Sequence, residues 1–237
     1  PGHHSFVSAG NKNYIAYHKH RDYTYAGVRG YAVDEIKWLT ITDKDGNPLD
    51  VMYANGPTIS VQPKINGEYG NVAEGLTAEV TKGKLAGGAS VSNLTDGLLS
   101  MNTTINAKFN DKYVKETEIT ETTTFEFDLG DAKALRAVMI YNSKDPNKAF
   151  LKCSAEFTGS DENGNEKTWS ISNIEFDLDE NANVVDVDGL KRVTSIVHGA
   201  SAYAEFAEIN VKKVRITVFV PSGQASVGIS EIRILGK

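Results

Sequence analysis

The sequence is poor in cysteine, in runs of like charge and in long apolar stretches. Its 237 residues include one cysteine, Cys153, which excludes a disulfide within the chain. No apolar run approaches the roughly 18 residues that a membrane-spanning helix needs. No basic cluster of the kind that binds nucleic acid or a membrane surface is present. Neither nucleic acid nor a membrane is therefore expected as a partner.

The charge is unevenly distributed along the chain. Residues 1–70 hold seven basic and seven acidic side chains, so the remainder carries the entire formal charge of −6. This break in composition predicts a domain boundary near residue 70. The chain starts with Pro1-Gly2 and without a charged-then-apolar leader. We interpret the sequence as a fragment of a longer protein, whose export signal would lie upstream.

Cys153 lies in an alternating run from Phe150 to Phe157, and no metal-ligand spacing surrounds it. Free cysteine is among the residues most often buried, and it then behaves as a small apolar side chain. The sequence favours a buried structural cysteine over a reactive one.

Most periodic segments alternate with period two and are rich in β-branched and aromatic residues, which is typical of strands. Gly, Asn and Asp separate them as turn residues, for example in Asp128-Leu129-Gly130-Asp131. One short stretch, Ala200 to Asn210, has Ala and Glu at a spacing compatible with a helix. The predicted strands include the following: 14–17, 122–129, 138–141, 151–157, 214–220 and 229–235.

Two groups of strands follow from this pattern. The first, within residues 1–70, has too few strands for a stable two-layer domain and needs something to pack against. The second, within residues 71–237, has enough for a complete antiparallel sandwich. The predicted fold is all-β: an antiparallel jelly-roll β-sandwich, preceded by a few strands of another unit.

The first group carries five short motifs in register. They are Gly2-His3-His4-Ser5, Tyr14-Ile15-Ala16-Tyr17-His18, Arg29-Gly30-Tyr31-Ala32-Val33-Asp34, Asp45-Gly46-Asn47-Pro48 and Gly56-Pro57-Thr58. In order and spacing these resemble the end of glycoside hydrolase family 43, whose catalytic domain is a five-bladed β-propeller. The resemblance covers about residues 1–63 and implies that they are strands of an incomplete propeller, whose missing N-terminal portion would be their partner.

The same resemblance implies roles for two residues. His3 matches the histidine that helps to hold a metal ion or its waters at the propeller centre, here calcium. Arg29 matches an arginine that points toward the sugar, where its planar donor fork suits hydroxyl or carboxylate groups. The alternatives are that His3 belongs to a solvated tail and that Arg29 is a charge at the rim.

Catalysis in that family needs an acid carboxyl, a base carboxylate and a third carboxylate that tunes them. The acidic residues near the start of the chain match none of the three: Asp34, Asp43, Asp45 and Asp50. The resemblance therefore implies a chain that is catalytically incomplete and that has no catalytic residue of its own.

The second group carries a fainter resemblance over about 165 residues. Its elements are Ala89 to Gly97, Phe125 to Gly130, Val138 to Asn142, Lys213 to Ile216 and Ile229 to Ile232. Together they look like a galactose-binding-like jelly roll, as in discoidin domains and family 32 carbohydrate-binding modules. In such domains an N-x-x-D-G turn and a glutamate of the last strand often meet around a structural calcium ion.

The matching positions here are Asn93, Asp96 and Glu231. Turn carbonyls and carboxylates form the oxygen-rich environment that a hard cation prefers. The resemblance thus implies calcium as a cofactor. The alternative is that Asp96-Gly97 is a plain turn and Glu231 a surface residue.

The sequence departs from this family where a tryptophan usually follows the turn, because Leu98 and Leu99 stand there instead. A sugar site needs an aromatic face for the apolar side of the ring and polar donors for its hydroxyls. Trp169 lies in a predicted strand, which favours core packing. The aromatic candidates, which no motif groups together, are Tyr113, Trp169, His198 and Tyr203.

Three functions follow as hypotheses. The leading one is the C-terminal part of a secreted or periplasmic, cell-surface carbohydrate-active enzyme with carbohydrate as its ligand, acting on plant-type polysaccharide or oligosaccharide of the arabinose or xylose class. The second is a noncatalytic carbohydrate- or surface-binding module. The third is a structural β-sandwich that supports the propeller.

Overall fold

The structure is a computed structural model that describes residues 2–20, 29–56, 58, 60, 62–65, 67–100, 112–176, 184–187, 190–193 and 201–237. Two 3₁₀ turns, Val91–Leu94 and Pro146–Lys148, separate some of the strands. The strands in chain order are β1 Gly2–Ala9, β2 Lys12–His20, β3 Arg29–Thr42, β4 Pro48–Ala54, β5 Gly70–Asn71, β6 Glu79–Lys82, β7 Thr117–Ile119, β8 Thr123–Asn142, β9 Cys153–Ser160, β10 Glu166–Ile171, β11 Val184–Val187, β12 Leu190–Val193, β13 Ser201–Val218 and β14 Val227–Gly236.

The predicted fold class is confirmed, because every strand pairing in the described part of the chain is antiparallel. The helical interpretation of Ala200 to Asn210 is wrong for residues 201–210, which lie in β13. This strand pairs with β8 on one side and β9 on the other. Cross-strand pairing therefore overrides the local helical spacing of Ala and Glu.

Strands β1 to β4 form a four-stranded meander in chain order. Its residues alternate between two faces, as the pleat requires. On one face Lys37 lies opposite Tyr53, and on the other Trp38 lies opposite Met52. The first of these faces packs against the jelly roll, and the second leaves Trp38 63% exposed.

The main sheet of the jelly roll has the order β10-β9-β13-β8-β14-β5, with β6 on β8 and β7 on β14. Its inward face forms the larger core, in which Cys153 is fully buried as predicted. The strand-borne residues of this core include Phe125, Phe127, Val138, Ile140, Phe157, Val214, Ile216, Ile232 and Ile234. Burial of this apolar surface drives the folding of the sandwich.

Strand β8 contains an excursion where the sequence predicted a turn. Lys133 pairs with Val211 and Asp128 pairs with Lys213, so residues 129–132 lie opposite a single residue of β13. Gly130, at φ 73°, donates its amide to the Asp128 carboxylate at 2.9 Å. The two halves of β8 therefore keep independent registers with β13.

The outward face of the main sheet is covered by residues that precede β5, such as Gln62 and Tyr69, and by Leu99, which follows β6. Met139 and Tyr141 of β8 are buried there in a second apolar cluster with Leu99. Gln62 donates to the Tyr141 hydroxyl at 3.2 Å, and Arg233 lies 5.0 Å from the centre of the Tyr141 ring. The Tyr53 hydroxyl of β4 donates to the Leu99 carbonyl oxygen, so the four-stranded sheet and the jelly roll are in contact, while the boundary at residue 70 stays a prediction. In the part of the chain that the structure describes, no helix is long and apolar enough to cross a membrane.

Candidate functional site

The turn that the sequence singled out follows a short 3₁₀ segment. Ser90 caps this segment by accepting a hydrogen bond from the Ser92 amide at 3.3 Å. Two residues after the segment ends, the Asp96 carboxylate accepts the Leu98 amide at 2.8 Å. Gly97 has a φ of 77°, in the left-handed region that favours glycine. The Asp-Gly pair thus forms a tight turn, as the simpler interpretation requires.

Glu231 is the unusual member of the site. It lies on β14 opposite Tyr141 and is 0% exposed, so the alternative that it is a surface residue is wrong. Neither of its carboxylate oxygens has a hydrogen-bond partner among the described residues. A buried carboxylate without partners is costly, because nothing replaces its lost hydration.

Burial raises the pKa of Glu231 well above its ordinary value. The negative charges of Asp96 and Glu74 raise this pKa further, whereas the Arg233 guanidinium lowers it. Partial desolvation of its carboxylate raises the pKa of Asp96 to about 6 although the residue is exposed, against the opposing effect of the Leu98 amide. Each carboxyl group acts on the pKa of the other, so the two groups are neighbours, and their predicted role as metal ligands stays a prediction.

Asn93 is tied to a different neighbour. Its side-chain amide donates to the Glu116 carbonyl oxygen at 3.3 Å. The Glu116 carboxylate in turn accepts from the Ser143 hydroxyl and the Lys144 amide, both at 2.7 Å. This contact gives Asn93 a role in fixing the loop, and its proposed role as a metal ligand stays a prediction.

The donor set fits a hard cation. Asp96 and Glu231 supply carboxylate oxygens, and Asp96 is exposed, which gives solvent ions access to the pair. Among the described residues, no group of three or more His, Cys, Asp or Glu side chains is arranged to hold a metal ion. The pair would therefore need backbone carbonyls and waters to complete a shell, as calcium accepts and zinc rarely does.

A network of charges surrounds this pair. Lys37 bridges Glu74 at 2.7 Å and Glu35 at 3.1 Å, and Lys12 lies 3.2 Å from Glu35. Lys37 and Glu35 come from the four-stranded sheet, whereas Glu74 belongs to the jelly roll. These ion pairs therefore join the two units beside Asp96.

His3 and Arg29 lie at one end of the four-stranded sheet. Arg29 pairs with His20, and Tyr31 pairs with His18. The ring centre of His3 is 5.9 Å from that of His18. Both predicted residues are exposed. The sheet therefore brings them to the same end, and their predicted roles stay predictions.

A small pocket opens on the exposed face of the same sheet. Its lining includes His4, Tyr17 and Asp34. The Asp34 carboxylate is buried and accepts hydrogen bonds from the Tyr17 hydroxyl and, at 2.6 Å, from the Thr58 hydroxyl. Asp34 thus anchors the loop that follows β4.

The three described aromatic candidates for a sugar platform lie on separate elements. Trp169 lies on β10 and packs against the larger core, as its strand position predicted. Tyr203 lies on β13 and donates to Glu205 at 3.0 Å. Tyr113 donates to the Thr42 carbonyl oxygen at 3.4 Å, and His198 lies outside the described residues.

No protein-family model and no curated protein matches the chain. Solved structures do match it. The lectin domain of lectinolysin complexed with Lewis b antigen is 15% identical, with 70% of this chain and 95% of that chain covered and a TM-score of 0.42. A Streptococcus pneumoniae fucose-binding module is 16% identical, with 73% and 100% covered and a TM-score of 0.43. The family 32 carbohydrate-binding module of C. perfringens NanJ, in complex with galactose, is 13% identical, with 70% and 97% covered and a TM-score of 0.42.

Sequence reasoning missed three residues that shape the site: Asn55, Glu74 and Arg233. Asn55 reaches the turn from the other unit, with its side-chain amide 2.6 Å from the Gly97 carbonyl oxygen. Its signal in the sequence is weak, because it stands in a glycine-containing loop 42 positions from its partner. In the sequence nothing distinguishes Glu74 and Arg233 from ordinary surface charges. Their contacts, with Lys37 for Glu74 and with Tyr141 for Arg233, depend on how distant segments pack.

Proposed function

We propose that residues 71–237 form a noncatalytic carbohydrate-binding module appended to the last strands of a family 43-like glycoside hydrolase. The observation that carries this proposal is the buried, unpartnered Glu231 carboxylate beside Asp96. The sequence resemblance to galactose-binding-like modules implies an acidic residue at each of these two positions, which are 135 residues apart in the chain.

Calcium is the cofactor proposed for this pair. Asp96 and Glu231 would hold it together with backbone oxygens of the turn, and its charge would offset the negative charges of the exposed Asp96 and the buried Glu231. This role is structural: it would fasten the start of the module to its last strand. A second calcium, near His3 at the propeller centre, follows from the family resemblance alone.

Glycan binding by residues 1–237 tests the module directly. We expect the purified chain with calcium to bind at least one oligosaccharide on a broad glycan array that includes galactose-, fucose-, arabinose- and xylose-containing glycans. Asp96→Ala should weaken that binding, because the loops around the turn lose their anchor. The matched control is Asp161→Ala, in the exposed turn that joins β9 to β10. Absence of binding to every glycan would refute the module and favour a purely structural sandwich.

The four-stranded sheet is proposed to complete a propeller with upstream strands, with Arg29 facing the sugar. A four-stranded antiparallel meander is how a propeller blade is built. Its outer face exposes large apolar side chains that a partner would cover: Phe6, Trp38 and Met52, at 56%, 63% and 48% exposure. Such a protein would act on plant-type polysaccharides outside the cell, which places it in the secreted, periplasmic or cell-surface class.

Tryptophan fluorescence tests this docking. Trp38 and Trp169 are the two tryptophans of the chain, so Trp169→Phe isolates Trp38. In a longer protein that carries the upstream strands, we expect the Trp38 emission to shift to shorter wavelength and its acrylamide quenching to fall, relative to residues 1–237. Equal emission and quenching in the two proteins would contradict the docking.

A further inference from the structure

Side chains from the end of β4 hydrogen-bond to the backbone that follows Asp96. Asn55, directly after β4, is 1% exposed and makes two hydrogen bonds to this backbone. Its amide donates to the Gly97 carbonyl oxygen at 2.6 Å, and its carbonyl oxygen accepts the Leu99 amide at 3.0 Å. Tyr53 adds a third contact by donating to the Leu99 carbonyl oxygen at 2.5 Å. Both sides of the backbone are thus held by side chains of the other unit.

Asn55 is itself held in place by its own sheet. Its backbone amide donates to the Glu35 carbonyl oxygen at 2.9 Å. The next residue is Gly56, where an added Cβ would lie 2.0 Å from the Asp34 carboxylate. Thr58 then closes the loop onto Asp34. The side chain of Asn55 therefore projects from a rigid platform, so it can fix the position of what it binds.

Residues 97–99, whose backbone these side chains hold, adjoin the proposed cation site. Gly97 follows Asp96 directly, and its carbonyl oxygen is the one that the Asn55 amide contacts at 2.6 Å. A Cβ at Gly97 would lie 3.0 Å from Glu74 and 3.1 Å from Lys37. Lys37 of the four-stranded sheet therefore lies against the residue that follows Asp96.

We propose that Asn55 is a positioning residue that couples the seating of the four-stranded sheet to cation binding at Asp96 and Glu231. The coupling rests on the calcium site of the proposed function. Coupling between two binding events is reciprocal. A bound cation therefore strengthens the contact of Asn55 with residues 97–99 by the same factor by which that contact strengthens cation binding. The jelly roll and the preceding sheet then behave as one unit when the cation is present.

Calorimetric titration of residues 1–237 with calcium chloride tests the first half of the coupling. Loss of a residue that orients metal ligands from outside the coordination shell typically costs about 10- to 100-fold in metal affinity, and we expect Asn55→Ala to fall in that range. Asn55→Asp keeps an acceptor for the Leu99 amide but faces the Gly97 carbonyl with a second oxygen, so its affinity should fall as well. Thr40→Val, which removes an exposed side-chain contact of the same sheet with Asp50, should leave the affinity unchanged.

Amide hydrogen exchange tests the second half. In the wild type, calcium should slow exchange of the Leu99 amide, whereas in Asn55→Ala that amide should exchange fast with or without calcium. A purely structural role for Asn55 would not make this protection depend on calcium. Should Asn55→Ala fail to fold, Asn55→Asp and Tyr53→Phe provide the same comparison.

The outcomes separate the coupling from the cation site. Equal calcium affinity in the wild type and the Asn55 variants, with Leu99 protection that ignores calcium, overturns the coupling and leaves the site intact. A wild type that binds no calcium overturns the site itself.

Discussion

Removal of calcium should lower the melting temperature of the chain. Both oxygens of Glu231 are buried without partners beside Asp96, so loss of a cation leaves two neighbouring carboxyl groups without compensation. An ion at a hundredfold excess over its Kd stabilises the folded state by about 2.7 kcal/mol. In a chain of this size each kcal/mol shifts Tm by about 2–4 °C, which gives a drop of roughly 5–11 °C on chelation.

The pH dependence gives this prediction a second signature. Partial desolvation raises the folded-state pKa of Asp96 to about 6, above its unfolded value near 4. In chelator the folded state therefore binds protons more readily, and stability should decrease as pH rises from about 4 to about 6. The stabilising effect of calcium should grow over the same range, because protons and calcium compete for the pair.

Differential scanning fluorimetry with calcium and with chelator measures both effects. Asp96→Ala and Glu231→Gln should each abolish the calcium dependence, and Glu231→Gln should not lower Tm in chelator, because it removes a buried charge. Asp161→Ala is the control: it loses the amide hydrogen bonds of its own turn and should keep the calcium dependence. A transition that is the same with calcium, with chelator and in every variant would show that the turn binds no cation.

The remaining predictions concern catalysis, independence of the module and the thiol. Residues 1–237 should not hydrolyse arabinan, xylan or aryl glycosides, because they supply no matched acid and base carboxylates; turnover abolished by mutating an acidic residue of the chain would refute this. Residues 72–237 should still unfold cooperatively, but at lower stability, since deletion uncovers Met139 and Tyr141 at about 1.5–3 kcal/mol for each large side chain. Limited proteolysis that degrades this region first would contradict the boundary. Cys153, whose pKa burial raises to about 12, should resist thiol reagents at pH 8 until the protein is denatured.

The strands were predictable because their signal is local. Alternation in segment 151–157 reflects one buried face, as β9 shows, whereas the predicted strand 229–235 lies in β14, which is buried on both faces and is recognised by its β-branched composition. The stretch 201–210 was wrongly predicted as a helix, because its Ala and Glu spacing is a local signal, whereas its pairing with β8 and β9 depends on distant residues. Period and composition thus identify a strand only when no competing period is present.

The sequence singled out the two acidic positions of the candidate site but none of the groups that surround them. Asp96 and Glu231 carry a pattern that a family resemblance can detect. Asn55 and Lys37 reach the site from a different sheet, and no spacing in the sequence encodes how two units pack. Their contribution depends on long-range contacts such as the 2.7 Å pair of Lys37 with Glu74.

The excursion in β8 determines where the length of this chain can change. Residues 123–128, which precede the excursion, pair with β13 without a register shift, and a one-residue insertion between Phe127 and Asp128 would turn Phe125 and Phe127 out of the core. Within the excursion the extra residues face a single partner, so added or lost residues shift neither half. Natural variation in length, or an engineered peptide tag, is therefore expected to be tolerated at Gly130 and excluded from residues 123–128.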